Sequence, residues 1–146
     1  MSDVQLFKSS TTKPFEVVLI DLEAAVKEFG FEIYHHDRED LAEFYRSEGV
    51  SIPTDYKHVM LQICKPENSG KVVPLNPDRG IFVQKLIFVY NKGETTELRT
   101  LGYSAHLMAE LLGHNEFEKG PTDDQFAAKM AENFETMNKI IQKAVA

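Results

Sequence analysis

The chain has 146 residues, one cysteine and a formal net charge of −7, with a sequence pI near 5.2. This length suits one domain with its own core, and a hydrophobic fraction of 42% excludes an intrinsically disordered chain. Its lysines and arginines are scattered and outnumbered by acids, which disfavours nucleic acid and anionic membranes as partners. We therefore predict a single domain over residues 1–146, with a core over about 2–104 and a helical segment over about 104–146. We predict no nucleic-acid partner and no membrane partner.

The cysteine content and the apolar stretches bear on where the protein resides. Cys64 has no partner for an intrachain disulfide, which favours a reducing compartment. The first residues show no basic segment followed by an apolar stretch, and no apolar run approaches the ~20 residues that span a bilayer. We therefore expect a cytoplasmic protein.

The N-terminal segment is predicted to form a strand followed by a helix. Residues 4–8 form the strand, and Thr11 or Thr12 is expected to cap a helix that has Pro14 in its first turn. Gly30 is expected to end this helix in a left-handed conformation. One apolar stripe at helical spacing comprises Phe15, Val18, Leu22, Val26 and Phe29.

Two further strands and a second helix are predicted before residue 65. Residues 31–36 form a strand in which alternation puts Tyr34 and His36 on one face. Asp37 is expected to cap the second helix. Residues 56–64 form the third strand, and the side chains that share one of its faces are His58, Met60, Gln62 and Cys64.

The middle of the chain is predicted to hold a loop and then a hairpin. Residues 65–80 contain three prolines and are expected to be a loop with one helical turn at most. Residues 81–90 are rich in β-branched and aromatic side chains, which predicts a central strand. The Asn-Lys-Gly sequence at 91–93 supplies a turn, and residues 95–103 return as the fifth strand.

Two helices are predicted at the C-terminal end. Residues 104–112 form the first, which ends at Gly113, and Thr122 with Gln125 matches a capping box that opens a long helix. The element order predicts an α+β fold with one five-stranded antiparallel or mixed sheet and helices packed on one face. The buried stripe of the last helix is predicted to comprise Phe126, Met130, Phe134, Met137, Ile141 and Ala144.

Four motifs in a fixed order resemble those of a known family. Residues 12–16 (Thr-Lys-Pro-Phe-Glu) open a helix, and residues 29–31 (Phe-Gly-Phe) lead into a strand. Residues 56–66 form a strand that ends in Cys-x-Pro, and residues 76–80 (Asn-Pro-Asp-Arg-Gly) precede the central strand. Over roughly residues 2–104 this arrangement resembles the domain-of-unknown-function 302 family.

The resemblance implies a TATA-box-binding-protein-like fold and a homodimer, but no activity, because the biochemical role of the family is not established. Gln84-Lys85 stands where the family often has Pro-Cys, which argues against any mechanism that needs two cysteines. Ser69-Gly70 and Pro74 weaken the short helix that the family has after residue 65. Residues 106–120 have no counterpart in the family.

No catalytic, phosphate-binding or nucleotide-binding motif is present, so we predict no cofactor. We predict no metal site, because the adjacent His35 and His36 point to opposite faces of a strand. The leading hypothesis is a non-enzymatic module that binds a small ligand or a protein at a pocket on the sheet. The candidate lining residues of this pocket are Tyr34, His36, His58, Met60, Gln62 and Cys64.

Two other functions are compatible with the sequence. The first is an enzyme or redox protein in which Cys64 is a reactive thiol assisted by His58, since a nearby cation or base lowers the pKa of a thiol. The second is DNA binding. It rests on analogy with the fold alone, and the acidic composition speaks against it.

Overall fold

The computed structural model describes residues 2–34 and 39–146. Within these ranges the strands are β1 (Val4–Thr11), β2 (Glu32–Ile33), β3 (Glu39–Asp40), β4 (His58–Cys64), β5 (Lys85–Lys92) and β6 (Thr95–Tyr103). The helices are α1 (Phe15–Glu28), α2 (Leu41–Ser47), α3 (Pro66–Val72), α4 (Gly80–Val83), α5 (Ala105–Leu112) and α6 (Asp123–Val145). Two 3-10 turns, Val73–Leu75 and Pro77–Arg79, connect α3 to α4.

The strands form one antiparallel sheet in the order β1-β6-β5-β4-β2, and β3 also pairs with β4. This arrangement confirms the predicted α+β fold and the interior position of the strand that ends near Tyr90. The described sheet has six strands rather than five. The additional strand, β3, has only two residues, which is too short for side-chain alternation to reveal it.

One face of the sheet packs against α1 and α6 to form the main core. The sheet supplies inward-facing side chains from β4, β5 and β6, and α1 supplies the stripe that includes Val18, Leu22 and Val26. The second half of α6 completes this core with Met137, Ile140, Ile141 and Ala144.

A second apolar cluster lies at the other end of α6. It joins Phe82 and Val83 of α4 to Met108 and Leu112 of α5. The first half of α6 contributes Phe126, Met130 and Phe134. The predicted stripe of the last helix is therefore buried along its whole length, and its two halves belong to different clusters. Among the described residues, no helix is long and apolar enough to cross a bilayer.

Several local predictions are confirmed by backbone geometry. Gly30 ends α1 with a φ of +84°, and Gly113 ends α5 with a φ of +98°. Gly93 opens the two-residue connection between β5 and β6 with a φ of +60°, a conformation that a side chain disfavours. The Thr122 hydroxyl accepts a hydrogen bond from the Gln125 amide, and the Gln125 side chain accepts one from the Thr122 amide.

The predicted caps of the first two helices are wrong. No side chain caps α1: β1 extends as far as Thr11, whose hydroxyl accepts a hydrogen bond from the Lys13 amide at 3.2 Å. Pro14 occupies the N-cap position, where its fixed φ suits the entry into a helix. The second helix is capped by Asp40, whose carboxylate accepts from the Glu43 amide at 3.1 Å. The predicted cap Asp37 lies outside the described residues.

The predicted loop over residues 65–80 is also wrong, because this segment is mainly helical. Pro66 and Pro77 begin α3 and the second 3-10 turn, and Pro74 is the second residue of the first 3-10 turn; at such early positions a missing N–H costs little. The apolar run at 81–83 belongs to α4, so the central strand begins at Lys85 rather than at Ile81. A short apolar run fits a buried helix as well as a strand, which explains the error.

The second strand is shorter than predicted. Its described pairing is limited to Glu32 with Cys64 and Ile33 with Ile63 of β4. Tyr34 follows the strand, and its amide donates to the Gln62 carbonyl at 2.8 Å. His35 and His36, which end the predicted strand, lie outside the described residues.

Candidate functional site

The face of the sheet opposite α1 and α6 is partly open, and we call it the open face. It carries the side chains that alternate with core residues along β1, β4, β5 and β6. Leu6 lies opposite Leu101 in the register of β1 and β6, and their exposed fractions are 49% and 44%. Leu86 on β5 is 36% exposed. Apolar side chains thus reach solvent from three adjacent strands.

These three leucines line a cleft of about 330 Å³, which we call the leucine cleft. Gln84, Phe88 and Arg99 are also among its lining residues. Mostly apolar walls with a few polar groups are typical of small-molecule sites, and this volume lies at the small end of their usual range of about 300–1,000 Å³. The cleft can therefore enclose an apolar body and offer it a small number of polar contacts.

The charge of Arg99 is already balanced within the protein. Its guanidinium lies 3.1 Å from the Glu97 carboxylate and donates to the Leu98 carbonyl at 2.9 Å. The hydroxyl of Ser10 donates to Glu97, and this bond, ahead of the contribution of Arg99, holds the pKa of the Glu97 carboxyl below its usual value. Burial acts in the opposite direction but does not prevail. The Arg99 end of the cleft is therefore nearly neutral.

Gln84 gives the cleft an unsatisfied polar group. Its side-chain oxygen is buried and has no hydrogen-bond partner among the described residues. A buried acceptor without a partner costs about 1–3 kcal/mol, so nearly all such groups in native proteins are paired. A ligand that brings a donor into the cleft would remove this cost after a rotation of the amide.

Two of the predicted site residues, Tyr34 and Cys64, line another cleft of about 620 Å³. Cys64 ends β4 and is 6% exposed. The neighbouring Lys65 places its ammonium 4.4 Å from the centre of the Phe31 ring. Glu32 also lines this cleft, which lies at the C-terminal end of β4.

His58 lies at the other end of β4, within an aromatic cluster. Its Nδ1 is hydrogen-bonded to the Tyr56 hydroxyl at 2.5 Å, and its ring lies 5.3 Å from that of Tyr90. Burial lowers the pKa of His58, and the carboxylate of Asp40 opposes this effect only in part. His58 and Cys64 are six residues apart on one strand, so they are separated by about 20 Å. The structure does not bring this pair together.

The remaining predicted residues lie in different places. Gln62 is on the open face, where its amide nitrogen lies 3.4 Å from the Glu39 carboxylate. His36 lies outside the described residues. Of the six candidate lining residues, the structure therefore brings Tyr34 and Cys64 to one cleft and leaves His58, Met60 and Gln62 outside it. Over residues 2–34 and 39–146, no three His, Cys, Asp or Glu side chains are grouped as metal ligands would be.

The leucine cleft was not predicted from the sequence. Alternation along the fifth predicted strand puts Leu101 on the face opposite Leu98, which was an available signal. Nothing local indicates that Leu6, almost a hundred residues earlier, lies opposite Leu101. In the sequence, Gln84 stands out only because Gln84-Lys85 replaces the Pro-Cys that is frequent in the family.

Comparison with known proteins identifies a structural relative. No family model matches the sequence, and no curated protein matches it. The fold is similar to the crystal structure of an uncharacterised conserved protein of the domain-of-unknown-function 302 family from Bacillus stearothermophilus, with a TM-score of 0.66. The similarity covers 92% of this chain and 96% of the other at 16% sequence identity. The chain therefore has the fold of a domain-of-unknown-function 302 protein, the family that its motifs resemble.

Proposed function

We propose that the chain is a single-domain, non-enzymatic module that binds a small apolar ligand in the leucine cleft. The observation that supports this function is the combination of exposed leucines on three strands with the unpaired oxygen of Gln84 at one wall. Such a site favours a neutral, largely apolar molecule that carries one hydrogen-bond donor. A reducing cytoplasm is the compartment that we propose, because the one cysteine is a buried free thiol.

The neutral fluorophore N-phenyl-1-naphthylamine tests this function, since it is apolar and carries one N–H donor. We expect it to fluoresce on binding and to raise the melting temperature, because it binds only the native state. Leu101→Lys places a charge at the cleft and should weaken binding at least tenfold. Leu111→Lys, at a position that is 66% exposed on α5, is the matched control and should bind as the original protein does. Equal binding by both variants would rule out this cleft.

We further propose that two copies of the chain associate through the open face. Leu6, Leu86 and Leu101 form a continuous apolar surface, and a two-fold axis across it would bury the same leucines of both copies. The homodimer implied by the family resemblance supports the same arrangement. The leucine clefts of the two copies would then face each other, and the partner would close the site to water.

Light scattering after size-exclusion chromatography tests the association without any ligand. We expect a mass of twice 16.6 kDa for the original protein. Leu6→Lys, on the edge strand β1, should give a single-copy mass, whereas Leu111→Lys should not alter the dimer. A single-copy mass for the original protein at all concentrations would rule out the dimer. Ligand binding would then be tested by the fluorophore experiment alone.

A further inference from the structure

A third cleft, of about 270 Å³, is lined by several lysines on a chain that is acidic overall. Lys65 and Lys71 line it from the side of α3, Lys85 from the start of β5 and Lys129 from α6. Among the described residues, no Asp or Glu lines this lysine cleft. The pair of Lys129 with Glu132, at 3.4 Å, lies at the surface, where both side chains are more than half exposed. The local potential is therefore the reverse of that of the whole molecule.

Lys85 is the unusual member of the set, because it is only 2% exposed and has no acidic partner among the described residues. Its ammonium donates to the Phe82 and Val83 carbonyls, each at 3.1 Å, and contacts the Met130 sulfur at 3.1 Å. A thioether is a weak acceptor, and Met130 itself lines the cleft. An anionic oxygen in the cleft would replace this weakest of the three contacts.

Asn133 adds a neutral hydrogen-bonding group to the cleft. It lines the cleft on α6, next to the Phe134 ring that lies 5.2 Å from the Lys85 ammonium. Its exposed fraction is 7%. Its side-chain amide has no hydrogen-bond partner among the described residues and is not one of the buried polar atoms that lack a partner, so it reaches the solvent of the cleft and is available to a ligand.

We propose that the lysine cleft binds a monocarboxylate with an apolar body, whose carboxylate lies between the Lys85 ammonium and the Asn133 amide. The carboxylate supplies the countercharge that the protein does not provide, and the amide donates to its second oxygen. Val72, Phe126 and Met130 offer the apolar wall for the rest of the molecule. A phosphate is strongly hydrated, so it would lose more hydration free energy on entering this apolar cleft than a carboxylate with a hydrocarbon chain would.

The volume limits the size of the ligand. The cleft holds about nine water volumes of ~30 Å³ each, which corresponds to a molecule of about ten non-hydrogen atoms. Octanoate has this size and is the probe that we choose. Octan-1-ol has the same chain without the charge, and inorganic phosphate has charge without the chain.

Binding is measured by calorimetry at pH 7, and the Met130 methyl signal is followed by NMR. We expect octanoate to bind at least tenfold more tightly than octan-1-ol, inorganic phosphate to show no saturable binding, and octanoate to shift the Met130 signal. Lys85→Met should weaken octanoate binding at least tenfold, since a tenfold change corresponds to the loss of about 1.4 kcal/mol. Lys139→Met removes the same charge from an exposed site on α6 and should leave binding unchanged.

Asn133→Leu provides a second variant that keeps Lys85 in place and tests the other half of the site. We expect it to weaken octanoate binding while the leucine cleft still binds N-phenyl-1-naphthylamine. Equal affinities for octanoate and octan-1-ol, or full affinity in both Lys85→Met and Asn133→Leu, would overturn the proposal. Because the two clefts take different probes, failure of one proposal does not imply failure of the other.

The pH dependence of binding separates Lys85 from the surface lysines. Burial lowers the pKa of Lys85 to about 8, with Lys65 acting in the same direction and Cys64 in the opposite one. The other charged groups at the cleft are Lys71 of α3 and Lys129 of α6. Lys85 loses its proton between pH 7 and 9, so octanoate affinity should fall about tenfold over this range in the original protein. An affinity that is constant over this range would contradict the role of Lys85.

Discussion

Lys85 is almost completely buried, and no acidic side chain pairs with it among the described residues. Its pKa in the folded protein is about 8, against 10.5 for an exposed lysine. At pH 7 the folded protein therefore holds a buried charge that the unfolded chain would keep in water. Such a group destabilises the fold, and destabilising groups that persist are found mainly at functional sites.

We expect Lys85→Met to raise the free energy of unfolding at pH 7 by about 3 kcal/mol, from 1.36 kcal/mol per unit of pKa difference. The unfolded chain binds more protons than the folded one between pH 8 and 10.5, so the stability of the original protein should rise with pH across this window. The variant should lack this rise. Urea unfolding at pH 7 and at about pH 9.5 measures both effects, and Lys139→Met controls for the change in net charge. A variant less stable than the original protein at pH 7 would contradict this account.

Arg79 and Asp123 are also buried charges, but unlike Lys85 they form an ion pair with each other. Both side chains are fully buried, and the guanidinium lies 2.9 Å from the carboxylate. Arg79 also donates to the Val72 and Pro121 carbonyls, and its guanidinium lies 5.0 Å from the centre of the Phe126 ring. This one side chain therefore ties the helical segment after β4 to the start of α6.

We expect Arg79→Met to lower the free energy of unfolding by about 3–5 kcal/mol, because it leaves the Asp123 carboxylate buried without its cation. Lys143→Met breaks a pair with Glu28 at 2.6 Å in which both side chains are about half exposed. This control should cost less than about 1 kcal/mol. Chemical denaturation measures the free energy of unfolding of both variants. An equal decrease in the two would show that the buried pair stabilises the fold no more than the surface pair does.

At the scale of elements, the start of α6 is a local signal that the sequence and the structure share. Thr122→Ala removes the hydroxyl that accepts from the Gln125 amide at 3.1 Å, and we expect a loss of about 1 kcal/mol. Thr136→Ala is the matched control within the same helix, where the hydroxyl donates to the Glu132 carbonyl at 3.0 Å. Alanine favours a helix interior, so this variant should be neutral or more stable. Thermal unfolding of the two proteins distinguishes them, and a neutral Thr122→Ala would refute the capping role.

Elements with strong local signals were predicted well. The capping box at Thr122, the glycine at position 113 and the strand at 95–103 each depend on a few adjacent residues, and each was confirmed. The secondary structure of the segment from Pro66 to Val83 was predicted wrongly, because its helices are short and are held in place by residues distant in sequence. Arg79, for example, is fixed by Asp123, forty-four residues later, and no local pattern reveals this pair.

The candidate sites were harder to predict than the fold, for the same reason. The leucine cleft joins β1 to β5 and β6, and the lysine cleft joins α3 to α6 across about sixty residues of sequence. Alternation identifies which side chains share a face, but not which strand lies beside which. The pairing of β1 with β6 forms the leucine cleft, and the position of α3 across from α6 forms the lysine cleft.

At the scale of the whole molecule, buried carboxylates make stability depend on acid pH. Burial tends to raise the pKa of Asp123, but hydrogen bonds from the Asn115 backbone, Asn76 and Arg79 prevail and hold it below its usual value. The pKa of Glu97 is also lowered, chiefly by the hydroxyl of Ser10. A carboxyl with a lowered pKa stabilises the fold fully above its ordinary value, and this contribution is lost as the pH falls through the folded value.

We therefore expect the contribution of these two carboxyls to the free energy of unfolding to change little between pH 7 and about pH 5 and to be lost below about pH 4.5. Glu97→Gln retains an acceptor for Ser10 without the titrating proton and should show a shallower fall. Asp3→Asn removes an exposed carboxylate and serves as the control. Urea unfolding at a series of pH values gives the slopes, and identical slopes for Glu97→Gln and the original protein would contradict the assignment to Glu97.

The shared use of α6 by both apolar clusters has a consequence for biosynthesis. Residues 1–122 are synthesised before α6, so the nascent chain contains the strands of the sheet and α1 to α5 but lacks the helix that completes both clusters. Pairing of β1 with β6 already requires contacts between residues almost a hundred positions apart, which slows folding. Until α6 has been synthesised, both apolar clusters remain incomplete, so the apolar side chains that α6 covers are exposed to aggregation during synthesis.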